Sequence, residues 1–286
     1  LGTSPFFGSD IQNMSKLAEN GDYTIGSGKV TEVNIFPDYI DRLLFNANLK
    51  KHLSIVWDCG NGSAGPAVEA LCARLPGEHR VLFSDVDGDF PNHHPDPTVE
   101  KNLETLIFTI QEEQADLGIA FDGDGDRIGV VDGDGKIVWG DQLLAILAED
   151  VLSERNGATI IGDVKASNVL FDRISQLGGK PLMWKTGHSL IKTKMNEVNA
   201  PLAGEMSGHI FFRDKYYGFD DALYAAVRLI ELLDKRNDSL SSIKSRLPKM
   251  VNTPELRFDC SEDEKFLAVE KAKNYLKTRE NISVST

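Results

Sequence analysis

The sequence predicts an α/β protein of two consecutive units, each of β-α-β-α-β-β-α order around a mixed, mostly parallel sheet. Three observations carry this expectation. Apolar runs of strand length alternate with segments of helical periodicity, the order of elements repeats once along the chain, and 286 residues make about two domains. A hydrophobic content of 41% supplies enough apolar side chain for two ordinary cores.

In the first unit LSIVW (53–57) is a continuous apolar strand. GPAVEALCARL (65–75) reads as a helix with proline in its first turn, where a missing N–H is tolerated. RVLFS (80–84) is the next strand. PTVEKNLETLIFTIQEE (97–113) places Leu103, Leu106, Ile107 and Ile110 on one helical face, and LGIAF (117–121) returns as a strand. IGVVDGDGKIVW (128–139) reads as a hairpin around an Asp-Gly turn, and Asp141 is placed to cap the helix QLLAILAEDVL. The order then begins again with ATIIG (158–162), a helix near 167–177, PLMW (181–184), a helix near 188–197, PLAG (201–204), HIFFR (209–213) and the helix DDALYAAVRLIELL (220–233). The copies share topology and little identity. Ligands in open α/β sheets gather beyond the carboxyl ends of strands, so DGDGD in the first unit and GEMSGH (204–209) in the second are expected to face one cleft.

The formal charge of −13 argues against nucleic acid as a partner, because backbone phosphates need a basic face. No apolar stretch approaches the ~20 residues of a membrane span. LGTSPFFGSD, at the start, lacks the basic and apolar regions of a signal peptide. Cys59, Cys72 and Cys260 are odd in number and widely spaced, which suits buried thiols in a reducing cytoplasm. No obligate protein partner is evident.

The stretch AFDGDGDRIGVVDGDG (120–135) concentrates the chemistry. Asp122, Asp124 and Asp126 repel one another unless water or a cation relieves them, and the intervening glycines let the backbone curl so that all three carboxylates turn inward. An oxygen-only donor set favours a hard ion, and Mg²⁺ holding a phosphate oxygen fits best. An EF-hand is excluded, since Arg127 stands where that loop needs glycine and Gly133 where it needs a bidentate glutamate. Arg127 adds a fork of donors suited to a phosphoryl group, or to an ion pair with a neighbouring aspartate.

Two other motifs compete. GNGSAG (60–65) fits a dinucleotide fingerprint, with Asp85 near the expected distance, but a tight strand-to-helix turn needs the same glycines. VLFSDVDGDF (81–90) resembles the nucleophile loop of haloacid-dehalogenase-type phosphatases, with Asp85 as nucleophile and Asp87 as acid; this is the alternative function. In FPNHHPDP (90–97), His93 and His94 are possible ligands, yet adjacent histidines between prolines more often serve a rigid loop.

In the second unit Glu205, Ser207 and His209 alternate across a short loop. That pattern suits a carboxylate and a hydroxyl reading sugar hydroxyls while an imidazole faces the reacting group. Lys165 in DVKASN and His188 in WKTGHS follow strands and are placed to meet an anionic phosphate.

FDGDGDR, DVKASN, WKTGHSLIK and AGEMSGHIFF, with DCGNG and FPNHHPDP, together resemble the α-D-phosphohexomutases, in their bacterial phosphomannomutase/phosphoglucomutase branch. The resemblance implies two phosphohexomutase-type α/β domains at 35–139 (metal-binding) and 140–248 (sugar-binding). It also implies a remnant of a phosphoserine domain at 1–34 and the start of a phosphate-binding domain at 249–286. It further implies Mg²⁺ on Asp122, Asp124 and Asp126, and Arg127 supporting the phosphoryl group. Glu205 and Ser207 would read the sugar, Lys165, His188 and His209 would line the pocket, and His209 would assist proton transfer. The implied reaction moves a phosphoryl group between an enzyme phosphoserine and glucose or mannose 1- or 6-phosphate, through a bisphosphate intermediate. No serine here sits in the family's Thr-Ala-Ser-His-Asn setting, and the final phosphate-grasping loop is not found. The 286-residue chain is therefore expected to bind Mg²⁺ weakly and to show no mutase turnover by itself.

Overall fold

The computed structural model describes residues 5–249, 259–261 and 263–279, and divides into two compact units, Leu1–Pro248 and Lys249–Thr286. The larger begins with helices α1 (Ser9–Asn20) and α2 (Phe36–Leu44). Its first sheet comprises β1 (Leu53–Asp58), β2 (Gly77–Leu82), β3 (Leu117–Phe121), β4 (Ile128–Asp132) and β5 (Ile137–Val138). Helices α3 (Gly65–Cys72) and α4 (Glu104–Glu113) connect them, the latter entered through a 3₁₀ turn at Glu100–Leu103. After α5 (Gly140–Glu154) come β6 (Thr159–Asp163), α6 (Asn168–Gln176), β7 (Lys180–Trp184), α7 (His188–Val198), β8 (Leu202–Gly204), β9 (Ile210–Phe212), α8 (Ala222–Lys235) and α9 (Leu240–Ser245).

The strand orders are β2-β1-β3-β4-β5 and β7-β6-β8-β9. In both sheets the first strand pairs in parallel with the second and the third, and the fourth is antiparallel to the third. The repeat inferred from the order of elements is therefore a repeat of strand pairing. The first sheet is evenly divided between parallel and antiparallel pairs because β5 extends the hairpin.

Period-2 alternation sends side chains to two helical layers. Val56, Ala120 and Val131 pack with Leu103, Leu106 and Ile110 beneath α4, while Ile55, Trp57, Ile119, Phe121 and Val130 join the opposite core. In the second sheet Ile161, Ala203 and Phe211 meet Ile191 and Met195 of α7, and Ile160, Leu202, Ile210 and Phe212 face the other way. That other face belongs to the same apolar cluster as the first sheet's, continuous through α5 and α8. Each buried Leu or Ile contributes roughly 1.5–3 kcal/mol.

Helix α8 is buried over most of its length and touches α2 and β4 as well as α5 and β9. Its N-cap, Asp221, accepts from the Tyr224 amide at 2.9 Å and from the hydroxyls of Tyr216 and Tyr39 at 2.7 and 3.1 Å. Arg228, 2% exposed, meets Asp214 at 2.8 Å and Asp150 of α5 at 3.2 Å, with its guanidinium 4.3 Å from the Phe212 ring centroid.

Three local expectations need correction. The strand read at 80–84 lies at Gly77–Leu82, because Phe83 takes a left-handed turn (φ 54°) that ends it. Ile107 is only partly buried. Asp141 is not the cap of α5: Trp139 is, with its amide donating to Gln142 Oε1 at 3.2 Å, and Asp141 accepts from the Ser167 amide at 3.0 Å.

In the smaller unit α10 (Lys265–Lys277) leaves Phe266, Leu267 and Val269 exposed. Residues 250–258, 262 and 280–286 of the expected fourth-domain start lie outside the described residues. Among the described residues no helix is long and apolar enough to cross a membrane.

Candidate active site

Strand β3 ends at Phe121, and the chain curls immediately. Asp122, 2% exposed, points back into its own loop: Oδ1 accepts from the amides of Gly125, Asp126 and Arg127 at 3.0, 3.1 and 3.0 Å, and Oδ2 accepts from Arg127 Nε at 2.7 Å. Asp124 is exposed and Asp126 half-buried, yet one oxygen of each of the three aspartates lies within 4.8 Å of the others. Three carboxylates at that spacing form an oxygen donor set that fits a hard divalent cation, and Asp122 Oδ2 keeps a second lone pair for it. Burial pushes the Asp122 carboxyl up, against the hydrogen bonds from Arg127. Arg127 is committed to carboxylates, Asp122 at 2.7 Å and Asp96 at 3.2 Å, as the ion-pair reading of the sequence allowed.

Neighbouring loops hold this turn in place. Ser63 N donates to Gly123 O at 2.9 Å, and a Cβ on Gly62 would come within 2.8 Å of that oxygen. The Gly62 position of GNGSAG thus serves close packing against the aspartate loop. FPNHHPDP is a brace. His93 Nε2 lies 3.1 Å from both oxygens of the fully buried Asp58, Asn92 donates to Asn61 Oδ1 at 2.7 Å, and Asp96 receives Arg127. His94 is exposed, its ring set edge-on to Phe90. Asp85 and Asp87 are exposed beyond β2, at the sheet's edge.

The GEMSGH loop joins the aspartate loop directly. Arg127 and His209 form an antiparallel backbone bridge, and Ile128 N donates to Gly208 O at 3.0 Å. His209 reaches both sides: Nε2 is 3.2 Å from Asp126 Oδ1, and Nδ1 is 2.8 Å from Glu205 Oε2 and 2.9 Å from Ser207 Oγ. With carboxylates at both edges the ring is an imidazolium. Burial alone would lower its pKa, but the hydrogen bonds to Asp126 and Glu205 outweigh that and raise it to about 9. Glu205, 3% exposed, also accepts from the Gly187 amide at 2.5 Å, and its carboxyl is held low despite burial.

His188 opens α7 and lies over His209, ring centroids 5.8 Å apart and 18° from parallel. Lys165 is exposed on the turn after β6, two residues past the buried Asp163, which takes the Met206 amide and the Thr186 hydroxyl. Asp122, Asp126, Arg127, Glu205, Ser207, His209 and His188 therefore form one contiguous set. Sequence reasoning missed Asp96, Asp163, Lys192 and Asp220. Lys192 stands one helical turn after His188 in WKTGHSLIK, a spacing that would have revealed it.

Cys59 is buried and Cys72 partly buried, with burial pushing the Cys72 thiol up to about 12; Cys260 is exposed, and all three are free thiols.

Two family descriptions match the chain: phosphoglucomutase/phosphomannomutase alpha/beta/alpha domain II over residues 37–135, and domain III over 139–251. The chain is 47% identical over 260 residues to a phosphomannomutase/phosphoglucomutase of Pseudomonas putida, covering 91% of this chain and 56% of that protein. It is 43% identical over 258 residues to a phosphoglucomutase of Neisseria meningitidis, covering 90% and 56%. A crystal structure of a phosphoglucomutase/phosphomannomutase family protein from Burkholderia thailandensis superposes with a TM-score of 0.84 at 45% identity, over 88% of this chain and 55% of that one. The chain thus spans little more than half the length of these relatives. Two matched domains and this degree of identity place the chain in the phosphoglucomutase/phosphomannomutase family, the α-D-phosphohexomutases.

Proposed function

We propose that the complete protein interconverts the 1- and 6-phosphates of glucose and mannose by phosphoryl transfer to and from an enzyme phosphoserine. The phosphoserine would be supplied by a first domain of the longer protein, and this chain would supply the metal loop and the sugar loop. The observation that carries the reading is the Asp126–His209 contact, which puts a cluster suited to a cation and a loop suited to sugar hydroxyls at one junction. Relatives named phosphomannomutase/phosphoglucomutase support it.

Asp122, Asp124 and Asp126 hold Mg²⁺, which when bound neutralises charge on the phosphoryl oxygens. Arg127 fixes the loop through Asp122 and Asp96 and keeps a cationic face beside it. Glu205 and Ser207 orient the sugar, His188 and Lys165 meet its phosphate, and His209 carries the proton next to the reacting hydroxyl. Free thiols accord with action in the cytoplasm.

Incubating the complete protein with mannose 1-phosphate and Mg²⁺, followed by ³¹P NMR, tests the reading. The expected result is growth of the 6-phosphate at constant inorganic phosphate. Release of inorganic phosphate that depends on Asp85 would establish the phosphatase alternative instead, and binding without turnover would reduce the protein to a sugar-phosphate binder.

A further inference from the structure

Beside the sugar loop, two side chains to which the sequence assigns no part, Lys192 and Asp220, close around His188. His188 begins α7, and Lys192 follows one turn later on the same side. Asp220, just ahead of α8, has a side chain only 6% exposed, and its Oδ1 accepts from Lys192 Nζ at 2.8 Å. Lys192 Nζ is also 3.2 Å from His188 Nδ1. Asp220 Oδ2 lies 3.4 Å from the same nitrogen and accepts no hydrogen bond among the described residues. The backbone fixes this carboxylate, because Asp220 forms an antiparallel bridge with Phe211, whose ring stacks on His209.

An ammonium group can only donate, and a neutral imidazole has one donor and one acceptor nitrogen. A hydrogen bond from Lys192 at 3.2 Å makes Nδ1 the acceptor and leaves the ring hydrogen to Nε2, whereas Asp220 Oδ2, at 3.4 Å from the same nitrogen, accepts no hydrogen bond from it. Stacking on His209 keeps the ring in this plane. The His188 side chain is 52% exposed, and among the described residues no protein group bonds its Nε2.

We propose that Lys192 and Asp220 are positioning residues for His188. Asp220 anchors the ammonium, the ammonium holds Nδ1 as acceptor, and His188 thereby presents Nε2–H as a donor to an anionic oxygen of a sugar phosphate. The identity of the acceptor rests on the hexose-phosphate reading above; the tautomer does not.

A long-range ¹H–¹⁵N spectrum of the 286-residue chain at about pH 8, where an unperturbed imidazole is neutral, tests the tautomer. The His188 signals are identified by their loss in His188→Gln. The expected pattern is a bare Nδ1 and a protonated Nε2. Lys192→Met and Asp220→Asn should each yield a mixture of tautomers, and Lys192→Arg should restore the single form. A wild-type ring protonated on Nδ1, or a tautomer indifferent to both substitutions, overturns the proposal. Should either variant not fold, the wild-type spectrum still decides. In parallel, glucose 1-phosphate titrated into the same proteins should bind Lys192→Met about tenfold more weakly than wild type. Equal affinities overturn the donor role. A wild-type chain with the expected tautomer and no affinity for glucose 1-phosphate defeats the hexose-phosphate reading and leaves the positioning role standing.

Discussion

Asp126 Oδ1 and His209 Nε2 stand 3.2 Å apart, joining the loop after β3 to the loop after β8. Asp126 thus belongs both to the proposed cation cluster and to the partners of the His209 ring. Asp126→Asn should weaken Mn²⁺ binding at least ~10-fold, about 1.4 kcal/mol, and should lower the titration of His209 from about 9. Calorimetry and histidine NMR check the two effects on one sample. Unchanged values in both would separate the loops chemically.

His93 gives a pH-dependent stability. Its Nδ1 faces the His94 carbonyl at 3.0 Å and its Nε2 faces Asp58, so both ring nitrogens must donate. The Asp58 hydrogen bond raises its pKa against the effect of burial. A raised histidine contributes fully below its unfolded value near 6.5 and loses that contribution as pH rises through the folded value. His93→Gln should therefore cost about 1.5–3 kcal/mol in urea unfolding at about pH 5.5 and distinctly less at about pH 9. An equal deficit at both pH values would mean that the ring is neutral in the fold.

Arg228 is the buried tie between α5, the 214 loop and α8. Arg228→Ala strands the carboxylates of Asp214 and Asp150 in a buried setting and should cost about 3–5 kcal/mol in urea unfolding. Arg228→Met, which keeps bulk against Phe212, should recover only the packing part.

Gly208 has φ 96°, and a Cβ there would fall 2.5 Å from Ile128 O. Gly208→Ala should lengthen the Ile128 N to Gly208 O bond and destabilise the chain by about 1–3 kcal/mol. Thermal melting and faster exchange of the Ile128 amide measure the effect.

The legible parts of this protein were those in which one element carries its own signal. Strands β1, β3 and β4 are buried on both faces and read as apolar runs, whereas the edge strand β2 is half-exposed, and its GEHRVL pattern was displaced by three residues toward the stronger VLF. Aspartates separated by glycines announced a loop with a purpose. Asp96 was overlooked because the paired histidines beside it drew attention, and Asp220 because it precedes a helix next to the true cap, Asp221. The sequence brought the loops of Asp126 and His209 to one cleft but gave no sign of their contact, which follows from an isolated backbone bridge between Arg127 and His209.

The shared core through α8 has a mechanical corollary. Because β4 and β9 lean on the same helix, the aspartate loop and the GEMSGH loop ride on a single anvil. Amides of the two sheets should then exchange with solvent in one cooperative opening, and the two loops should keep their spacing when the rest of the molecule opens.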